Sequence, residues 1–353
     1  MPFRMNFQIP PIEPTLDVGL QARLQHRIDN KTKPLGALGR LESMALQLGL
    51  IQRAETIRLD QPQMVVFAAD HGIAAEGVSA FPQAVTLQMV ANMLAGGAAI
   101  SVLARQHRFA LNVVDAGVAA DLDDHPQLIK RKIAFGTQNI SQAAAMTVGQ
   151  LDAALQAGAG IVAALPGNVV AFGEMGIANT SAAALLLSRL TGVTLDNAIG
   201  RGTGLDDRQL LHKQRVLTRA AAMHEKATTP LQALAALGGF EIAMMTGAML
   251  QAASERRLIL VDGFIAGSAA LAASALAPQA LDYMLFCHRS AERGHRLLLE
   301  HLQARPLLDL DMRLGEGTGA LLAWPLVQSA ALVMNEMASF ESAGVSGKEE
   351  KDL

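Results

Sequence analysis

The sequence predicts an α/β protein built on a parallel sheet covered by helices on both faces. Two observations lead there. Short apolar runs, continuous rather than alternating, recur along the chain with helical stretches between them. Each run also ends in a loop rich in glycine and polar residues: Asp70-His71-Gly72, Asp115-Ala116-Gly117, Gly173-Glu174-Met175-Gly176, Asp262-Gly263 and His288-Arg289-Ser290. One such loop is an ordinary turn, because Asp and Gly are good turn formers. Several on one sheet edge mark a site, since ligands of open parallel sheets bind outside the carboxyl ends of the strands.

The elements follow in order. Leu16–Ile28 and Leu38–Glu55 carry apolar residues at three-to-four spacing and predict helices, with a break at Thr32–Gly36. Gln63–Ala69 predicts the first strand, a helix runs from about Thr86 to Gln106, and Phe109–Val114 predicts the second strand. Val148–Ala157 reads as a helix, Asn168–Phe172 as the third strand, Leu258–Val261 as the fourth and Tyr283–Cys287 as the fifth. The expected architecture is a three-layer, Rossmann-like large domain over 59–300. The segments 1–58 and 301–353 are expected to form a small helical domain, with the small and charged tail 344–353 disordered.

Composition narrows the function. The chain has 353 residues, 51% apolar and 17% charged, which suits a large interior and a buried subunit interface. A net charge of -3 offers no basic face to a nucleic acid. A single cysteine, Cys287, excludes an intrachain disulfide and points to a reducing, cytoplasmic setting. Met1–Pro14 contains four prolines and no continuous apolar stretch, so it does not read as a secretory signal. Ala153–Gly173 and Gly263–Leu281 are uncharged and nearly of membrane length. The first is broken by Pro166-Gly167-Asn168 and the second is mostly Ala, Gly and Ser, so neither is read as a span.

Three loops carry the chemistry. In Ala171–Ser188 a strand enters a glycine turn, and Asn179, Thr180 and Ser181, all N-cap types, precede the helical Ala182–Arg189. A helix start offers free N–H groups and the positive end of a dipole to a phosphate. Gly200-Arg201-Gly202-Thr203-Gly204 has alternating glycines that let backbone amides approach an anion, with Lys213 nearby. It is neither a Rossmann fingerprint nor a Walker loop. Leu314-Gly315-Glu316-Gly317-Thr318-Gly319 surrounds one acid with three glycines before an apolar helix. A carboxylate held in apolar surroundings has a raised pKa and serves as a base near neutral pH. Taken singly, each loop reads equally well as a capped helix or a surface turn. The histidines His71, His288 and His295 lack zinc-type spacing, and no Gly-x-Ser-x-Gly elbow is present.

Together these stretches resemble the nicotinate-nucleotide:dimethylbenzimidazole phosphoribosyltransferases of cobalamin biosynthesis. The resemblance rests on Thr32–Glu42, Ala69–Val78, Phe81–Gly97, Gly173–Thr180, Gly200–Asp207, Gly238–Glu241, Val261–Ala266, His288–Gly294 and Leu314–Gly319, in family order along nearly the whole chain. It implies transfer of the phosphoribosyl group of nicotinate mononucleotide to 5,6-dimethylbenzimidazole, giving α-ribazole 5'-phosphate and nicotinate with inversion. It further implies Glu316 as the base, Glu174 as the partner of the ribose, and a homodimer without metal or cofactor. The phosphate is then expected against Gly176, Ala178, Gly202, Thr203, Gly204, Lys213 and Ser290, with Asp262 and Gly263 beside the nucleotide. Phe81, Gln88, Met175 and Leu314 are expected to line the base pocket. Two rivals stay open at this point: a Mg-dependent transferase using a pyrophosphorylated sugar, and a non-catalytic nucleotide sensor on the same fold.

Overall fold

The computed structural model describes residues 5–202 and 204–346. Thr203 and residues 347–353, which include most of the expected disordered tail, lie outside the described residues.

Six parallel strands form one sheet in the order β3-β2-β1-β4-β5-β6. They are β1 (Gln63–Ala69), β2 (Ala110–Gly117), β3 (Leu128–Lys130), β4 (Val169–Met175), β5 (Leu258–Val261) and β6 (Met284–Phe286). β1, β4, β5 and β6 are buried at nearly every position, which is why they read as unbroken apolar runs. β3 escapes sequence detection: it is three residues long, sits at the sheet edge and is only partly buried.

The strand order reverses at β1, and the cleft described below opens from the end of β4 toward the ends of β5 and β6. The chain builds outward from β1 through β2 to β3, then returns to place β4 on the other side of β1. The reversal opens a crevice between the carboxyl ends of β1 and β4. Asp70 and His71 therefore stand beside Glu174, Met175 and Gly176, although about a hundred residues of chain separate them.

The two uncharged segments are accounted for inside the protein. Ala153–Gly173 divides between the helix Val148–Ala164 and β4, and Phe264–Leu276 is a helix whose residues 264–274 are all buried. A third stretch, Ala84–His107, is long and apolar enough by length and composition to cross a membrane. It is not one helix, however: Ala84–Leu94 and Ala99–His107 are separate, with Gly96-Gly97 between them. The single helix expected over Thr86–Gln106 is corrected accordingly, and the break creates a helix start at Ala99 that matters below.

The chain ends meet. Arg40–Gln52 packs against Thr318–Glu336, Arg27 donates to the Met334 carbonyl, and Asn335 bonds the backbone of Ile57 in both directions. The helix that follows Glu316 is thereby tied to the N-terminal helices.

Candidate active site

The two glutamates sit in loops that lock into each other. Glu174 is the penultimate residue of β4, and Glu316 precedes the helix Thr318–Glu336. A Cβ on Gly173 would fall on the Glu316 carbonyl, and a Cβ on Gly315 would fall on the Glu174 carboxylate. The glycines flanking each acid thus make room for the other acid's loop. The chain turns through three successive left-handed residues, Gly315, Glu316 and Gly317, with φ of +86°, +63° and +94°. A glutamate in that region is strained by roughly 1–3 kcal/mol and persists only where its surroundings hold it. The holder is Asp262, at the end of β5. Its carboxylate accepts from the Gly317 N–H at 3.0 Å, from Gly319 at 2.7 Å and from Ala320 at 3.3 Å. It satisfies the free amides of the helix start and pins the loop.

The two acids differ in environment. Glu174 is 6% exposed and accepts from the Asn179 side-chain amide. Burial pushes it up to about 8; the Asn179 bond opposes this, and Asp262, Glu241 and Glu316 reinforce it. Glu316 is also raised above the ordinary carboxylate range by burial. Its Oε2 accepts from the Ile100 N–H at 3.4 Å, at the helix start created by the break before Ala99. That contact favours its charged form and offsets part of the burial.

The other end of the cleft is built for an anion. Lys213 is 1% exposed, yet its ammonium finds no carboxylate within salt-bridge distance among the described residues; it donates to Thr180 Oγ1 at 2.9 Å and to the Gly200 carbonyl at 3.4 Å. Burial lowers it to about 8, with Glu292 opposing. A desolvated cation without a counterion, beside the start of the helix Asn179–Thr191, is a ready phosphate partner. Ala178, at φ +75°, turns the chain into that helix. The cleft itself is lined by Glu174, Gly176, Gly202, Gly263, Ser290 and Gly315 among others.

The residues match the family model described as "Phosphoribosyltransferase" over 13–345. The chain is 58% identical over 344 residues to the nicotinate-nucleotide--dimethylbenzimidazole phosphoribosyltransferase of Variovorax paradoxus, covering 98% of this chain and 99% of that one. The chain belongs to this phosphoribosyltransferase family. The relative of the same name from Cupriavidus necator is 59% identical over 342 residues, covering 96% and 99%. The crystal structure of CobT from Thermus thermophilus superposes with a TM-score of 0.90 at 44% identity, covering 93% of this chain and 99% of that chain. The fold and the enzyme class, a transferase, are thereby established, and a non-catalytic sensor is set aside.

Within this phosphoribosyltransferase, the expected site residues divide. Glu174, Met175, Gly176, Gly202, Gly263, Ser290 and Leu314 line the cleft, and Ala178 lines an adjoining pocket with Gly202. Lys213 reaches the cleft wall through its bond to Thr180. Gly204, at φ +126°, belongs to the same loop as Gly202, while Thr203 is outside the described residues. Phe81, 49% exposed, and Gln88, on the helix Ala84–Leu94, do not line the cleft. Asp262 and Glu316 do not line it either: the Asp262 oxygens are taken by the helix start, and the Glu316 carboxylate is turned to the Ile100 N–H. The N-cap reading of Asn179 and Thr180 is also corrected. Ala178 is the cap residue and offers no side chain for it. Asn179 gives its amide to Glu174, and the Thr180 hydroxyl accepts from Lys213.

Sequence reasoning missed several neighbours. Arg313 lines the cleft and donates to the Gly202 carbonyl at 3.1 Å, tying the loop that carries Glu316 to the glycine loop 200–204. His71 and Glu241 form a buried pair at 2.6 Å behind Glu174. Burial would lower the His71 pKa, but the Glu241 carboxylate holds it above the ordinary value. Both residues fall inside the resemblance, in Ala69–Val78 and Gly238–Glu241, where a signal existed without an assigned role.

Proposed function

We propose that the chain transfers the phosphoribosyl group of nicotinate mononucleotide to 5,6-dimethylbenzimidazole, with inversion at the anomeric carbon and Glu316 as general base. The products are α-ribazole 5'-phosphate and nicotinate. One observation carries this reading. Two buried glutamates with raised pKa values stand on interlocked loops, Glu174 lining a cleft whose wall at Thr180 is held by the buried Lys213 beside a helix start. The substrate names of the relatives agree with it.

The chemistry follows from counting protons. The nicotinate ring is cationic while bonded to ribose, so it leaves as a neutral ring nitrogen and needs no acid. The incoming benzimidazole attacks through its unprotonated nitrogen and must then lose its N–H. One base is enough, and we assign it to Glu316, whose charged form the Ile100 amide favours against burial. Positive charge builds on the ribose as the bond breaks. Glu174 answers it: a carboxyl that holds its proton to about 8 gives it up more readily beside a cation, so nucleotide binding and ionisation of Glu174 support each other. Met175 and Leu314 form the apolar walls for the flat base.

The proposal includes a homodimer in the cytoplasm. Val102 and Leu332, both about half exposed on helices that pack together, supply apolar surface that a second subunit would cover. Incubating the protein with nicotinate mononucleotide and a panel of bases, then reading product mass and the anomeric proton by NMR, tests the reaction. An α-ribotide of dimethylbenzimidazole with free nicotinate is expected. Free ribose phosphate, or no consumption of nucleotide, would overturn the reading.

A further inference from the structure

Glu292 has appeared so far only as a charge acting on Lys213, yet it lines the cleft beside Ser290, Gly202 and Thr180. It is 6% exposed, and its Oε2 finds no hydrogen-bond partner among the described residues. It stands at the N-cap position of the helix Arg293–His301, where an acidic side chain ordinarily folds back on the free amides. It does not do so. Its own N–H donates to Ser290 Oγ at 3.3 Å, and its carboxylate is turned instead onto Gly200, where a Cβ would collide with Oε2. Lys213, the cation within electrostatic reach, is already engaged with Thr180 and Gly200. A buried carboxylate oxygen without a donor is costly, and its placement calls for a ligand that brings one.

We propose that Glu292 accepts a hydrogen bond from a ribose hydroxyl of the bound nucleotide and makes the site selective for ribonucleotides over deoxyribonucleotides. The inference rests on the nucleotide reading above. It follows from the donors such a ligand has. The phosphate dianion, the ring carboxylate and the ribose ring oxygen only accept, and the pyridinium ring carries no N–H. The hydroxyls at C2' and C3' are the only donors left, and Glu292 can be satisfied by nothing else on the ligand. Glu174, at the other end of the cleft, already accepts from Asn179 through Oε2. A site built to bond a hydroxyl rejects an analogue lacking it, because the buried acceptor is then left unpaired.

The test measures kcat/KM for nicotinate mononucleotide and its 2'-deoxy and 3'-deoxy forms in the wild type, Glu292→Ala and Glu292→Gln, at saturating dimethylbenzimidazole. The wild type is expected to favour the ribonucleotide over one deoxy form by roughly 10- to 100-fold. Glu292→Ala is expected to lose about that factor on the ribonucleotide alone, bringing the two substrates to within about threefold. Glu292→Gln keeps the volume and one acceptor, so it should retain part of the discrimination and covers the case of a misfolded alanine variant. An active wild type with equal losses on ribo and deoxy substrates, or with discrimination intact in both variants, overturns the assignment. So does tighter inhibition by inorganic phosphate in Glu292→Ala with unchanged discrimination, which would make Glu292 a counterion to Lys213. A wild type that forms no product at all overturns the reaction itself, a distinguishable failure.

Discussion

Glu174 and Glu316 look alike in sequence, each an acid among glycines, but the fold gives them opposite settings. Glu174 is the penultimate residue of a central strand and is held by one side-chain amide amid other acids, so it keeps its proton to about 8. Glu316 stands in a strained left-handed turn, anchored from outside by Asp262 and eased by a helix amide. The difference teaches that burial raises both, and the nearest donors and charges then set them apart: on the proposed mechanism, Glu174 answers the ribose cation and Glu316 takes the proton.

The comparison can be broken or sharpened by substitution. The largest effect is expected at Glu316. Glu316→Gln should lower turnover by about 10²- to 10⁴-fold while nicotinate mononucleotide still binds, read by steady-state kinetics and calorimetry. Glu174→Gln, which mimics the protonated acid, should cost less, about 10- to 100-fold, because it removes an electrostatic contribution and leaves the base. Equal losses in the two variants would erase the distinction. Asp262→Asn should lower turnover about tenfold and destabilise the fold by about 1–3 kcal/mol, since the amides at Gly317 and Gly319 lose a charged acceptor. Its nucleotide affinity should hardly move, and a selective loss of nucleotide binding would show instead that Asp262 contacts the ligand.

A separate effect is in stability against pH. Folded Glu174 keeps its proton until about pH 8, whereas the unfolded chain releases it near 4.5. Between those values the folded state binds more protons, so stability falls as pH rises through that window. Thermal unfolding of the wild type from pH 5 to 8 should show this decline, and Glu174→Gln should flatten it. An identical slope in both proteins would place the protonated acid elsewhere.

Much of this arrangement is written in the sequence. β1 and β5 match the expected strands residue for residue, because strands buried on both faces leave continuous apolar runs. β2, β4 and β6 differ only at their ends. What stayed hidden depends on partners remote in sequence. The three residues of β3 have no run to reveal them, and the break at Gly96-Gly97 is masked by apolar residues on both sides. Asn179 looked like a cap because capping is the commoner use of asparagine at a helix start; only the approach of Glu174 shows otherwise. The resemblance puts Asp262 beside the nucleotide, and nothing local betrays that its carboxylate also holds the amides after Glu316. The resemblance supplied Phe81 and Gln88, which the fold leaves outside the cleft lining. Glu292 lies inside the stretch His288–Gly294 of the resemblance without an assigned role, and only the fold shows its carboxylate turned away from the helix it precedes.

The central claim, that Glu316 removes the acceptor's N–H, is tested most directly by turnover against a series of benzimidazoles of increasing N–H acidity. Wild type and Glu316→Gln should diverge: the variant recovers steeply as the acceptor becomes more acidic, while the wild type changes little. A loss of the same size for every acceptor would contradict the assignment.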